Sequence, residues 1–440
     1  MTPGVRLWID VNDLFEYAKY HRRPSGIQRF SCELYSALIG LTPTRIGFLV
    51  HGESALSFEV VSHSEVTDLY ERLAHQVDHS PEQGTDPPGS DRVGWRLLLQ
   101  NLVELMRRRE TGLTGAIFSK DHNVDNRRLG DLQNYAKPGD VLCSLGAPWW
   151  HDPRYGDRVQ AMQRSIRMRF ALLVYDLIPL VCPEYYDVKI APNFERAMLQ
   201  TIPLADILLT ISSWTANDLT QWSTRKSIRL RTSPKSLLVG SRFGSTNKRA
   251  LPVSLSAERF VLLVSTIEIR KNHWLAFRVW LRLIKEMPWE SIPHLVFVGR
   301  IGWMVADLMQ AIANTNHLGG KLIVLQDVDD DTLSGLYQDC LFTLFPSYYE
   351  GWGLPVTDSL AFGKICVASD RTAIKEAGQE FCIYIDPDNT TAAYYKIRWL
   401  IENPREVARL ETEIRNSYKA VPWSVTASSL LNAVIQDVQA

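Results

Sequence analysis

The chain lacks an excess of charge of either sign: Lys plus Arg number 48 against 49 for Asp plus Glu, a formal net charge of -1 over 440 residues. No global positive field exists to hold nucleic acid, so nucleic acid is not an expected partner. No run approaches the roughly 18 consecutive apolar residues of a membrane-spanning helix. The opening MTPGVRLWID has neither a basic n-region nor an apolar h-region and is not a secretory signal. Cysteine is scarce and scattered: Cys32, Cys143, Cys182, Cys340, Cys366 and Cys382 form no C-x-x-C pair. That argues against zinc and dithiol chemistry and for buried thiols in a reducing compartment, so a cytoplasmic location is expected.

What is present is a globular composition, 45% hydrophobic and 22% charged. At roughly 100 to 200 residues per domain the length suggests two to four domains. From about residue 259, strand-like runs at 259–265, 293–298, 321–326, 341–345, 364–369 and 382–386 alternate with helix-like stretches at 272–286, 303–313, 331–340, 354–362 and 371–377, then 391–402 and 404–419. This alternation predicts a parallel sheet covered by helices on both faces. The first half follows the same grammar less regularly, with strands near 5–10, 45–51, 140–145, 169–174, 205–211 and 236–239 and helices near 27–40, 194–202 and 213–222. The expected fold class is α/β, two Rossmann-like doubly wound domains facing each other across a cleft, where open α/β sheets bind ligands. The expected boundaries are 1–245, with a helical insertion near 65–130, then 246–420, and a helix in 421–440 packing back on the first domain.

The densest chemistry lies at Phe345-Pro346-Ser347-Tyr348-Tyr349-Glu350-Gly351-Trp352-Gly353-Leu354-Pro355, between a strand and a helix, with Asp358 following on that helix. Gly351 and Gly353 let backbone approach a ligand closely, and the helix start behind them offers free N–H groups and a positive dipole end to a phosphate. A second strand-to-helix segment, Val264-Ser265-Thr266-Ile267-Glu268-Ile269-Arg270-Lys271-Asn272, sets two adjacent cations where they either neutralise a diphosphate or stand solvated at a helix start. Val298-Gly299-Arg300-Ile301-Gly302-Trp303 repeats the strand–turn–helix pattern with paired glycines. Asp327, Asp329, Asp330 and Asp331 lack the central Gly and terminal Glu of a calcium loop, since Thr332 and Gln338 stand there. They read as helix capping, and no metal is expected.

Together these segments resemble the retaining glycosyltransferases of family GT4 (glycosyl transferase group 1), which have the GT-B fold and an E-x7-E signature in a setting like P-S-x-x-E-G-F-G-L-P. The resemblance continues through Asp358-Ser359-Leu360-Ala361-Phe362-Gly363 to Glu376 and covers most of 259–390. It implies that Glu350 contacts the donor sugar and Asp358, in place of the usual second Glu, the nucleotide ribose. Gly351, Trp352, Gly353 and Leu354 would line the donor site, with Trp352 replacing the usual Phe. The segment ending in Lys271 resembles the family's G-T-x-E-P-R-K-N variant, which implies a diphosphate-binding role for Lys271. Thr266 stands where many members carry Arg, which leaves Arg270 as the nearby substitute. Gly299 and Val328 fall at the nucleotide end, Val328 through its backbone.

In the first half, Ser25-Gly26-Ile27-Gln28-Arg29 resembles the family's G-I-G-R loop facing diphosphate and acceptor, so Gly26 is an acceptor-side residue. Val174-Tyr175-Asp176-Leu177-Ile178-Pro179 resembles H-D-x-x-P with Tyr175 in place of His. Trp149, in Gly146-Ala147-Pro148-Trp149-Trp150-His151, either stacks on a sugar or packs internally.

The implied activity is retaining, metal-independent transfer of a hexose to a glycan or lipid-linked oligosaccharide in bacterial surface polysaccharide synthesis. The motif variant favours a GDP-mannose-like donor, and no cofactor beyond the nucleotide sugar is called for. A sugar-nucleotide epimerase of the same shape and a binding protein without turnover are the alternatives. A helical stripe at 94–109, Trp95 to Met106 followed by Arg107-Arg108-Arg109, either faces the core or rests on the inner face of the cytoplasmic membrane.

Overall fold

The computed structural model describes residues 4–20, 26–53, 56–75, 128–241, 255 and 258–436. The 94–109 stripe lies outside them. Two sheets organise the rest. The first has the order β4-β3-β2-β1-β5-β6-β7-β8, with β1 Leu7–Asp10, β2 Ile46–His51, β3 Phe58–Val61, β4 Arg128–Asp131, β5 Val141–Ser144, β6 Arg169–Val174, β7 Ile207–Thr210 and β8 Lys235–Ser236. The second has the order β11-β10-β9-β12-β13-β14, with β9 Phe260–Val264, β10 His294–Val298, β11 Leu322–Leu325, β12 Thr343–Phe345, β13 Cys366–Ser369 and β14 Ile383–Ile385.

Every pairing in the second sheet is parallel. In the first sheet β3 and β4 are antiparallel additions at one edge. The sequence pattern passed over both, and β4 replaces helix at the end of the expected helical insertion. Their polar positions, Glu59 and Arg128, look like loop in sequence but pair across the edge at 2.6 Å.

The central strands read as unbroken apolar runs because both of their faces are buried. In β6, Ala171 and Leu173 enter one core layer while Phe170, Leu172 and Val174 enter the other. β9 divides likewise, Val261 and Leu263 against Phe260 and Leu262. The helix Trp423–Gln436 packs on the helix Ile27–Leu41 and adds Ala427, Leu430, Leu431 and Val434 to the N-terminal core. The two connections between the sheets pass side by side, where Ser241 N donates to Val421 O at 2.8 Å.

Strand order decides where a ligand fits. The chain winds outward from β1 in one direction and resumes at β5 on its other side; β9 and β12 do the same in the second sheet. Crevices form at such switch points, beyond the strands' carboxyl ends. Here they open over residues 11–13 and 145–147 in one domain and over 265–271 and 346–353 in the other.

Candidate functional site

The loops after β9 and β12 are joined by one residue of unusual geometry. Asn272 adopts a left-handed conformation (φ 56°), caps the helix His273–Glu286 by accepting from Leu275 N, and donates Nδ2 to Pro346 O at 3.2 Å and Pro387 O at 2.9 Å. A buried side chain that satisfies three backbone groups holds the two loops in register. Glu350 and Lys271 meet there at 2.5 Å, and Arg270 Nη1 lies 2.8 Å from the other Glu350 oxygen. Ser347 Oγ is 2.5 Å from Glu350 Oε1, and Glu350 N donates to Thr372 Oγ1.

Burial by itself would raise the Glu350 pKa, but Arg270 and Lys271 outweigh it and hold the carboxyl down to about 2. Burial, then the charge of Arg270, lowers the Lys271 pKa against the pull of Glu350 and Glu268. Arg270 is committed elsewhere than the sequence suggests. Its guanidinium is 9% exposed, bound to Glu268 Oε1 at 2.9 Å, to Tyr349 O at 2.5 Å and to Glu350. It braces Glu350, and Lys271 is the more exposed of the two cations, 16% against 9%.

Across the cleft, the N-terminal domain sends Asp176 into this cluster. Burial raises its carboxyl pKa, the Ile178 N–H and the charges of Arg270 and Lys271 lower it, and that of Glu350 raises it. Gly351 faces the same strand end: a Cβ there would collide with Tyr175 O and Asp176 Cβ. Its missing side chain therefore admits the other domain, whereas the sequence suggested that it admits a ligand. Gly299 (φ 152°) is likewise filled from within, by Ser265 O. Thr266 packs its methyl toward Gly302. Gly353 (φ 136°) caps the helix Leu354–Ala361, and Trp352 and Leu354 lean on the N-terminal core.

Two residues expected on the acceptor side pack into the N-terminal domain. Tyr175 turns its ring into the N-terminal core, edge-on to Phe30, and donates its hydroxyl to Leu145 O at 2.6 Å. Trp149 packs internally beside Tyr155 at 9% exposure, while Trp150 is 50% exposed. Both have apolar slots to fill in a closely packed layer, and the pattern of one strand end does not reveal which neighbour is lodged there. Gly26 begins the helix Ile27–Leu41 at φ 53°, ψ −115°, a conformation that favours glycine. Asp358 lies nearly buried on the helix Leu354–Ala361; burial and then its charge raise the Tyr337 and Tyr418 hydroxyl pKa values. Val328 is half-buried against the layer behind β9. Asp329 caps the helix Asp330–Asp339 through Thr332 N.

The N-terminal switch point contains a group that the sequence reading missed. Asp13 is buried beside Gly146, accepts from Ala147 N at 2.9 Å, and has Oδ1 without a hydrogen-bond partner among the described residues. Nearby, His51 lies between Asp10 at 3.1 Å and Asp152 at 3.3 Å, and Asp152 also meets Arg158 at 3.0 Å. The visible signal was Asp10, Asn12 and Asp13 at the end of a fully buried strand. Burial raises the Asp13 carboxyl to about 6.

An acid with a raised folded-state value favours the folded protein while protonated, so stability falls as pH rises from about 4 to 6 and stays lower above that, by about 3 kcal/mol. Asp13→Asn removes this term. Urea unfolding should show the variant more stable than wild type at pH 7.5, by up to about 3 kcal/mol, with the gain gone below pH 4.

Residues 246–417 match the model of a protein family described as glycosyl transferases group 1. That stretch, which carries the second sheet, is what the chain shares with the family. The serotype-specific mannosyltransferase WbdA of Escherichia coli is 26% identical to this chain over 257 residues, 56% of this chain and 31% of WbdA. The O-antigen chain mannosyltransferase B of Escherichia coli is 25% identical over 231 residues, 50% of this chain and 57% of that protein. The match thus spans about a third to somewhat over half of these relatives.

Among solved structures, Anabaena Alr3699/HepE in complex with UDP superposes with a TM-score of 0.59 at 11% identity, covering 98% of this chain and 100% of that one. Sucrose-phosphate synthase from Thermosynechococcus elongatus gives 0.58 at 14% identity, covering 99% and 100%. At such identities the likeness shows the fold, the GT-B pair of Rossmann-like domains. Among the described residues, no helix of this chain is long and apolar enough to cross a membrane.

Proposed function

We propose that the chain transfers a hexose, with retention and without a metal ion, from a nucleoside diphosphate sugar to a glycan or lipid-linked glycan of bacterial surface polysaccharide. The observation that carries this reading is the Lys271–Glu350 pair at the second sheet's switch point, with Asp176 facing it from the other domain. Lys271 and the N-terminus of the helix Leu354–Ala361 meet the charge that develops on a departing diphosphate. Glu350, held by Arg270 and Ser347, orients the sugar, and Asp358 accepts from the ribose. With these groups preorganised, catalysis rests on positioning and charge and needs no nucleophile triad. A GDP-mannose-like donor is favoured because curated relatives are named mannosyltransferases. A cytoplasmic site of action, at the membrane if the acceptor is lipid-linked, follows from that substrate pairing.

The test is incubation with a panel of nucleotide sugars, with and without candidate acceptors, in chelator. Acceptor-dependent release of nucleoside diphosphate supports transfer. Interconversion of donors without acceptor would replace it by an epimerase, and binding without either by a lapsed enzyme. Asp358→Ala probes the donor end: ribose contacts exist in bound substrate as well as in the transition state, so they act mainly on binding. The variant should raise the donor KM by roughly 1.5 to 3 kcal/mol equivalent with kcat changed less. An unchanged KM would leave Asp358 as a helix acid only.

A further inference from the structure

Glu350 is preceded by two tyrosines, and the N-terminal domain holds both. The Tyr348 ring stacks on Tyr185 at 5.9 Å and an interplanar angle of 9°. Beside it Tyr186 stacks on Trp303, whose Nε1 donates to Tyr185 O at 2.7 Å. The Tyr349 hydroxyl donates to Asp218 Oδ2 at 2.5 Å and accepts from Trp214 Nε1 at 2.9 Å. Asp218 and Trp214 both lie on the helix Ser213–Arg225, and Glu376 reaches back from the C-terminal domain to accept from Ser213 N at 2.8 Å and Trp214 N at 2.7 Å. Each of these contacts pairs a residue of one domain with a residue of the other, so they form only when the domains meet.

Tyr349 also faces the site. Its carbonyl accepts from Arg270 Nη1 at 2.5 Å, and the same nitrogen is 2.8 Å from Glu350 Oε2. Tyr349 thus bonds Asp218 of one domain through its hydroxyl and, through its backbone carbonyl, the Arg270 that holds Glu350 in the other. Burial raises the pKa of both Asp218 and the Tyr349 hydroxyl. In an open molecule water would solvate both groups, so their hydrogen bond makes a modest net contribution, suited to a reversible clasp.

We propose that Tyr349, gripped by Asp218 and Trp214, is a positioning residue: it ties the placement of Glu350 to contact between the domains. The inference rests on the reading of Glu350 as the group that orients the donor sugar. The clasp closes over a nucleoside diphosphate sugar and sets the carboxylate against it through Arg270, so its loss lowers turnover while nucleotide binding, built within the C-terminal domain, persists.

The experiment uses the full chain with Tyr349→Phe, Asp218→Ala, their combination, and Asp218→Asn, which keeps an accepting oxygen. Four quantities are measured: nucleoside diphosphate release, calorimetric affinity for GDP and UDP, Tm, and the distance between one dye in each domain. Expected are a fall in kcat of about 10-fold for Tyr349→Phe and Asp218→Ala, nucleotide affinity and Tm close to wild type, and a longer dye separation. The double variant loses no more than either single one, as befits one shared contact, and Asp218→Asn recovers most of the rate. Unchanged kcat in Tyr349→Phe, losses that multiply in the double variant, or a matching loss of Tm would overturn the proposal. A wild-type chain that transfers no sugar overturns the transferase reading instead. The clasp is then judged by dye separation, lengthening in Tyr349→Phe supporting it and an unchanged distance refuting it.

Discussion

Lys271→Ala should lose about 10² to 10³ in kcat, roughly 2.7 to 4 kcal/mol of transition-state stabilisation, while the protein remains folded. In the proposed reaction the amine balances charge as a diphosphate departs, and it acts on a group whose charge grows along the reaction. Removing it does not strand a buried anion, because Glu350 keeps Arg270 at 2.8 Å and Ser347 at 2.5 Å. Release of nucleoside diphosphate, measured beside circular dichroism and Tm, checks both halves of the expectation. Near wild-type turnover by a folded variant would remove Lys271 from the site.

Glu350→Ala should behave differently, since it costs stability as well as turnover. Glu350 is buried against two cations; without it Lys271 and Arg270 remain together in a low-dielectric crevice, and breaking such a buried pair typically costs about 3 to 5 kcal/mol. The pKa gives the pH window. The folded-state value is about 2 against an ordinary 4.5, so the stabilisation is fully present above about pH 4.5 and is lost as pH falls through 2. Urea unfolding should therefore show a deficit of about 3 kcal/mol at pH 7 that narrows between pH 4.5 and pH 2. A deficit independent of pH would mean that packing around Glu350, and not its charge, holds the loop. The Lys271 and Glu350 variants together separate chemistry from architecture at one ion pair.

Much of this site was legible before any coordinates. Unbroken apolar runs such as residues 260–264 and 169–174 mark strands buried on both faces, and the turns after them carry the polar residues that ligand sites use. Glu350, Lys271 and Asp176 stand at such strand ends, and each contributes to the cluster. The edge strands β3 and β4 were illegible because an antiparallel edge needs little apolar pattern and is defined by the partner that it meets.

The role of a residue was harder to read than its location. Arg270 and Lys271 are neighbours of equal charge, and only folding shows that one is walled in by Glu268, Tyr349 O and Glu350 while the other meets Glu350 and keeps more of its side chain exposed. Gly351 and Trp149 are ambiguous in sequence for the same reason: a missing or large side chain records that space is tight or must be filled, and does not say by what.

The sequence by itself determined two doubly wound α/β halves and the chemistry at their strand ends, because hydrophobic period and strand-to-helix turns are local properties. Only the tertiary structure decided that Asp13 is a carboxylate costly to ionise, that Gly351 is a seat for the opposite domain, and that Tyr349 joins Asp218 to Arg270. Burial and contact across a cleft depend on residues well over a hundred positions apart, and no local pattern encodes which of them will meet.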